Sequence, residues 1–147
     1  MKSRSLIESF KFAIDGLSFA FKTERNLRIQ AVIGLIVIVT SISIDLKNLE
    51  LLWIFFAIVV VIGGELLNTV IEKICDLLSE HNYNSTVKVI KDISAGLVLT
   101  VSVFSIMVGV MIFGKRFLRF PDFIAFFVYG IFVIYFLISS VSKKRTK

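Results

Sequence analysis

One cysteine, one histidine, one proline and one tryptophan occur in 147 residues. A single cysteine excludes an intrachain disulfide and any multi-cysteine metal site. A single histidine excludes a histidine-cluster metal site. Charge is also scarce: Asp, Glu, Lys and Arg make up 19%, against 56% apolar residues. That balance excludes a disordered chain and argues against an ordinary water-soluble domain. No internal repeat or low-complexity tract is visible. The first residues lack a continuous apolar core followed by an A-x-A-like site, so no cleavable signal peptide is expected. The length allows one compact unit. What is present is long uncharged runs, which define a small integral membrane protein.

The stretch from Met1 to Phe21 predicts an amphipathic helix. Leu6, Phe10, Ala13, Ile14, Leu17 and Phe21 recur at spacings of three and four, with Glu8, Lys11, Asp15 and Ser18 mostly opposite. Lys2, Arg4, Lys11 and Lys22 suit it to an anionic membrane surface, although packing on its own protein satisfies the same pattern. Four apolar runs follow: Ile29–Ile44, Leu51–Gly64, Ile93–Gly114 and Phe123–Ser142. A helix needs roughly 20 residues to cross the hydrocarbon core. The last two runs reach that length, and the second reads as continuing helically through Asp76. The backbone must be helical there because lipid offers its polar groups no partner.

The predicted fold is therefore all-α and membrane-embedded: a surface helix, three core spans and a fourth, C-terminal span. Residues 1–114 form the main unit, and 115–147 add a span with a basic tail. Lys2, Arg4, Lys11, Lys22, Arg25 and Arg28 precede the first span, and Lys143, Lys144, Arg145 and Lys147 follow the last. This bias places both termini inside. Lys115, Arg116 and Arg119 then fall outside, against the trend. Pro121 marks the break between the third and fourth spans. Trp53 reads as an interfacial anchor, and the aromatics of the last span, such as Phe126, Tyr129 and Phe132, as packing and lipid-facing groups.

The chemistry concentrates at the inner end of the second span. Glu65, Asn68, Glu72 and Asp76 lie at i, i+3, i+7 and i+11. At 3.6 residues per turn they cover roughly an 80° arc of one helix face. Carboxylates buried without partners are costly, so this row calls for a cation, a proton or a basic partner. Lys91-Asp92 and Glu24-Arg25-Asn26-Leu27-Arg28 fall at the same membrane level. Hard oxygen donors beside lysine suit Mg²⁺ shared with phosphate oxygens. Three alternatives stand beside this. The charges could be helix-end anchors or surface pairs worth well under ~1 kcal/mol. They could line an ion or proton pathway. The chain could also serve only as an assembly subunit. Polar residues along the whole bilayer depth would mark a pathway, yet the second span is apolar from Leu51 to the Gly63-Gly64 pair.

These residues form a familiar series. Glu65, Asn68, Thr69, Glu72 and Asp76, then a polar loop, then Lys91, Asp92, Ala95 and Gly96, resemble the prokaryotic diacylglycerol kinase/undecaprenol kinase family. Glu24-Arg25-Asn26-Leu27-Arg28-Ile29 resembles that family's segment before its first span. The resemblance covers roughly residues 5–113. It implies a homotrimer of small subunits in the bacterial cytoplasmic membrane, with active sites between subunits facing the cytoplasm. It implies phosphorylation of a lipid alcohol by ATP with Mg²⁺, and no nucleic-acid partner. By that resemblance Glu65 is the general base, and Glu24 and Glu72 are the Mg²⁺ ligands. Asn68, Asp76, Glu80, His81, Lys91 and Asp92 surround the nucleotide, and Arg28, Gln30 and Ala95 meet the lipid. Ala95 and the Glu24-Arg25-Asn26 segment look more like the undecaprenol branch, with diacylglycerol as the alternative.

Departures are Val70 in place of alanine, Gln30 in place of His or Glu, Ser94 in place of a smaller residue, and the extension 115–147. No G-x-x-x-x-G-K-[ST] loop and no HRD or DFG signature occurs. Gly63-Gly64 reads as close helix packing. Cys75 and His81, taken alone, read as packing and loop residues.

Overall fold

The computed structural model describes residues 5–80, 83–119, 121 and 123–144. It holds α1 (Leu6–Thr23), α2 (Arg25–Ser43), α3 (Asn48–Ser79), α4 (Ser85–Phe113) and α5 (Phe123–Lys144), with a π-helical turn at Gly114–Leu118. No strand occurs among the described residues. The fold is all-α, as the apolar runs require.

Local chemistry sets the helix ends. Ser5 and Glu8 form a reciprocal cap on α1: the Glu8 amide donates to Ser5 Oγ at 3.2 Å, and the Ser5 amide to Glu8 Oε2 at 3.1 Å. At the other end, Glu24 turns extended, with φ −93° and ψ 112°. Arg28 reaches back from α2, and its Nη1 donates to the carbonyls of Phe21 (2.9 Å) and Lys22 (2.8 Å). Those carbonyls have no partner within α1, so Arg28 ties the surface helix to the first span. Glu50 accepts the Lys47 amide at 2.9 Å to start α3. Asn84 Oδ1 accepts the Thr86 and Val87 amides at 2.9 and 3.3 Å to start α4.

These caps revise two sequence expectations. The acidic helix runs past Asp76 to Ser79, and Asn84 starts α4 at Ser85. The presumed loop from Asp76 to Asp92 is therefore mostly helix. Lys91 and Asp92 lie nearly two turns inside α4 rather than at its first residue.

α2, α3 and the α4 segment Ser85–Leu118 are each long and apolar enough to cross a membrane. α5 also forms, over 22 residues, but its described apolar stretch, Tyr129–Ser139, is shorter than a span. α3 packs chiefly on α4 and next on α2. Ile54, Ala57, Val108 and Leu46 form the buried core, flanked by Val37, Ile58 and Phe104. Phe56 sits edge-on to both Trp53 and Phe104, with ring centroids 5.9 and 6.3 Å apart.

Two glycines bring the backbones together. A Cβ on Gly34 would lie 3.0 Å from Ile58 Cγ2, and one on Gly64 3.0 Å from Val101 Cγ2. So Gly34 seats α2 on α3, and Gly64 seats α3 on α4, as small residues do between membrane helices. The exposed apolar residues of α2 and α3, such as Val32, Leu35, Phe55 and Val59, face outward, where lipid or another subunit covers them.

The basic group after the third span has a structural use. Arg116 Nη2 donates to the carbonyl of Ile44, the residue capping α2, at 2.9 Å. The bond fastens the far ends of α2 and α4. Arg116→Ala should lower the melting temperature of the detergent-solubilised protein by a few degrees, the effect of losing about 1 kcal/mol. An unchanged thermal melt would show that the bond contributes nothing to the fold.

Candidate active site

The acidic face of α3 meets different partners along its length. Glu65 lies deepest. Its residue is only 4% exposed although it is a carboxylate on a membrane helix. Gln30 Nε2, on α2, donates to Glu65 Oε2 at 3.2 Å. Thr69 Oγ1, itself buried, donates to the Glu65 carbonyl at 3.0 Å, so it bonds the backbone and not the carboxylate. Gln30 Oε1 is buried and, among the described residues, accepts no hydrogen bond. A buried acceptor left unpaired costs about 1–3 kcal/mol. Gln30 borders an apolar cleft of about 340 Å³ between α2, α3 and α4, lined by Ile33, Gly34, Ala57, Ile58 and Ser105 among others.

One turn further, Asn68 Nδ2 donates to Glu72 Oε1 at 3.0 Å, and Ser94 Oγ, on α4, donates to Asn68 Oδ1 at 2.5 Å. At the inner end of α3, Lys91 Nζ pairs with Asp76 Oδ1 at 2.5 Å, with both side chains about one-third exposed. This pair opens on a cleft of about 430 Å³ that Ser79, Tyr83, Asn84, Lys88 and Asp92 complete. The cleft carries two ammonium groups, two carboxylates and one aromatic ring, a set that can hold phosphate and ribose hydroxyls.

The structure thus gathers Gln30 with Glu65, Asn68 with Glu72, and Asp76 with Lys91 and Asp92. Others stand apart in the single chain. The Glu24 carboxylate accepts from its neighbour, Thr23 Oγ1, at 3.3 Å. Arg28 is occupied at the end of α1. Ala95 is on an exposed face of α4. Glu80 is exposed beyond the cleft, in a left-handed conformation with φ 47°. His81 lies outside the described residues.

Sequence reasoning missed Lys88, Tyr83 and Ser94. Lys88 could have been found, because it precedes Lys91 by three residues and shares its helix face. Ser94 had no such signal, since its partner is on another helix.

Among the described residues no three Asp, Glu, His or Cys side chains converge as a metal cage. Mg²⁺ does not require one. It is usually held by one or two carboxylates, with water and substrate phosphates as its remaining ligands. Glu72 and Glu24, both partly exposed, fit that sparse donor set.

A bundle of three helices long and apolar enough to cross a membrane, with a buried carboxylate and a charged, lysine-lined cleft at one end, defines a membrane protein with a polar site at the end of its spans. The family model for prokaryotic diacylglycerol kinase matches residues 11–113, and the chain belongs to that family. The chain is 34% identical over 105 residues to a diacylglycerol kinase from Synechocystis, covering 71% of this chain and 60% of that protein. It is 33% identical over 106 residues to an undecaprenol kinase from Bacillus subtilis, covering 72% of this chain and 85% of that one. A diacylglycerol kinase from Haemophilus influenzae is 24% identical over 108 residues, covering 74% and 92%. The family places this chain among the lipid kinases.

Proposed function

We propose that the chain transfers the γ-phosphoryl group of ATP to a membrane lipid alcohol, most consistently undecaprenol, at the cytoplasmic face of a bacterial plasma membrane. The observation that carries this reading is Glu65. It is a carboxylate buried between spans, held by Gln30 through one oxygen, beside an Asn68–Glu72 pair and short of a lysine-lined cleft.

Glu65 takes the hydroxyl proton as the lipid oxygen attacks the γ-phosphorus. The bond from that phosphorus to the bridging oxygen breaks, and ADP leaves. Such transfers depend on positioning and on neutralising charge. Asn68, Lys91 and Asp92 orient the nucleotide, and Asp76 holds Lys91 in place. Glu80 and His81 lie toward the base. Glu24 and Glu72 hold Mg²⁺, which when bound neutralises phosphate charge. Gln30, Arg28 and Ala95 lie on the lipid side.

Undecaprenol is favoured over diacylglycerol because Ala95 offers no hydroxyl to a glycerolipid head. The relatives include kinases named for both lipids, so diacylglycerol is the second reading. An ion pathway has less support, because the polar groups of α3 cluster at one end of the span. A homotrimer with sites between subunits is the assembly proposed. Ala95 and the carboxylates that do not converge in one chain are then completed by a neighbour.

The test is transfer from labelled ATP by the purified protein in mixed micelles. Undecaprenol and diacylglycerol are offered separately, with Mg²⁺ and with chelator. Mg²⁺-dependent labelling of undecaprenol above diacylglycerol is expected. The reverse preference would overturn the substrate, and labelling of neither would overturn the kinase reading. Removing residues 120–147 should leave this activity within about twofold if α5 is only an anchor, because none of the proposed site residues lies there. A large loss from a still-folded protein would give the extension a part in the site.

A further inference from the structure

We infer that Ser94 is a positioning residue for the nucleotide–metal side of the site. Glu72 bears a carboxylate, which only accepts hydrogen bonds, so Asn68 must turn its NH₂ toward it. That choice points Asn68 Oδ1 the other way, into the α3–α4 interface, where an acceptor needs a donor. Ser94 is that donor: it is 4% exposed, and its hydroxyl reaches Asn68 Oδ1 across the two helices. Serine in a helix commonly bonds its own preceding turn, as Thr69, Thr40 and Thr100 do here. Ser94 instead bonds a different helix.

The three groups form one directional chain, Ser94 O–H to Asn68 Oδ1 and Asn68 N–H to Glu72 Oε1. Gly64, one turn before Asn68, lets α3 approach α4 closely enough for the bond to form. Without the serine hydroxyl Asn68 Oδ1 is left in the α3–α4 interface without its donor, and the amide loses the bond that holds it against α4. Ser94 therefore fixes where the Asn68 amide sits and, through it, where the Glu72 carboxylate points. The role rests on the kinase reading of this site, whereas the hydrogen bond itself does not.

Two measurements separate these. In the full-length protein labelled with ¹⁵N-asparagine, the Asn68 side-chain NH₂ signal is assigned by its loss in Asn68→Asp. Ser94→Ala removes one oxygen from a buried site and leaves the fold intact. It should shift and broaden the Asn68 signal while the other asparagines stay put. In the transfer assay the same variant should raise the apparent KM for MgATP about three- to tenfold. The KM for the lipid alcohol should stay unchanged, and Ser94→Thr, which keeps a hydroxyl, should recover most of the loss. An Asn68 signal unaltered by Ser94→Ala would overturn the hydrogen-bond chain. An altered signal with unchanged MgATP kinetics would overturn the positioning role. A wild-type protein inactive on every lipid alcohol, with the Asn68 signal still dependent on Ser94, would remove the kinase reading and leave the chain of bonds standing.

Discussion

Glu65→Gln should reduce phosphate transfer by about 10²- to 10⁴-fold, the range by which a positioned general base accelerates proton transfer. The substitution is nearly isosteric, so packing around a residue 4% exposed changes little. Gln30 Nε2 can still donate to the oxygen of the new amide, and Thr69 bonds the backbone carbonyl, which the change leaves alone. The fold and subunit assembly should therefore survive while the proton acceptor is lost. The loss should lie in kcat, with KM for MgATP little changed, since the lysine-lined cleft is formed by other residues. Single-turnover transfer, with size-exclusion chromatography in detergent as the control for assembly, is the measurement. Activity within tenfold of the wild type would remove Glu65 as the base.

Glu72→Gln should act differently. The neutral amide keeps an oxygen that can accept from Asn68 Nδ2, so the side-chain chain across α3 and α4 can persist. What disappears is the charge. If Glu24 and Glu72 are the protein's Mg²⁺ ligands, as proposed, losing one removes a large share of the protein ligation. The Mg²⁺ concentration giving half-maximal activity should rise at least about tenfold. Saturating Mg²⁺ should recover part of the rate, a rescue that Glu65→Gln should not show. The contrast distinguishes a metal ligand from a base by titration alone. An unchanged Mg²⁺ titration would rule out ligation by Glu72.

Much of this was legible before any coordinates. Uncharged runs from Ile29, Leu51 and Ile93 marked the three long spans, because lipid permits only backbones that satisfy their own hydrogen bonds. The carboxylate row on α3 was legible because its members share one helix, where spacing alone fixes direction. The limits of the helices were less clear. Apolar content marks where lipid begins, not where a helix begins, and Asn84 starts α4 eight residues before the last charge ahead of the third apolar run. The three basic residues after that run looked like a violation of the charge rule. One of them, Arg116, makes a bond that ties two helix ends.

The sequence by itself determined the class of fold and the single helix face that carries Glu65, Asn68, Glu72 and Asp76. Each follows from hydropathy or from the 3.6-residue period, both properties of a short stretch of chain. Only the tertiary structure decided which groups those residues meet. Gln30 reaches Glu65 from 35 residues away, Ser94 reaches Asn68 from 26, and Lys91 reaches Asp76 from 15. Those meetings depend on the rotation and closeness of α2 and α4 against α3. Gly34 and Gly64 favour that closeness by admitting Ile58 and Val101 where a Cβ would crowd them at 3.0 Å, a consequence of packing that spacing along one stretch of sequence cannot express.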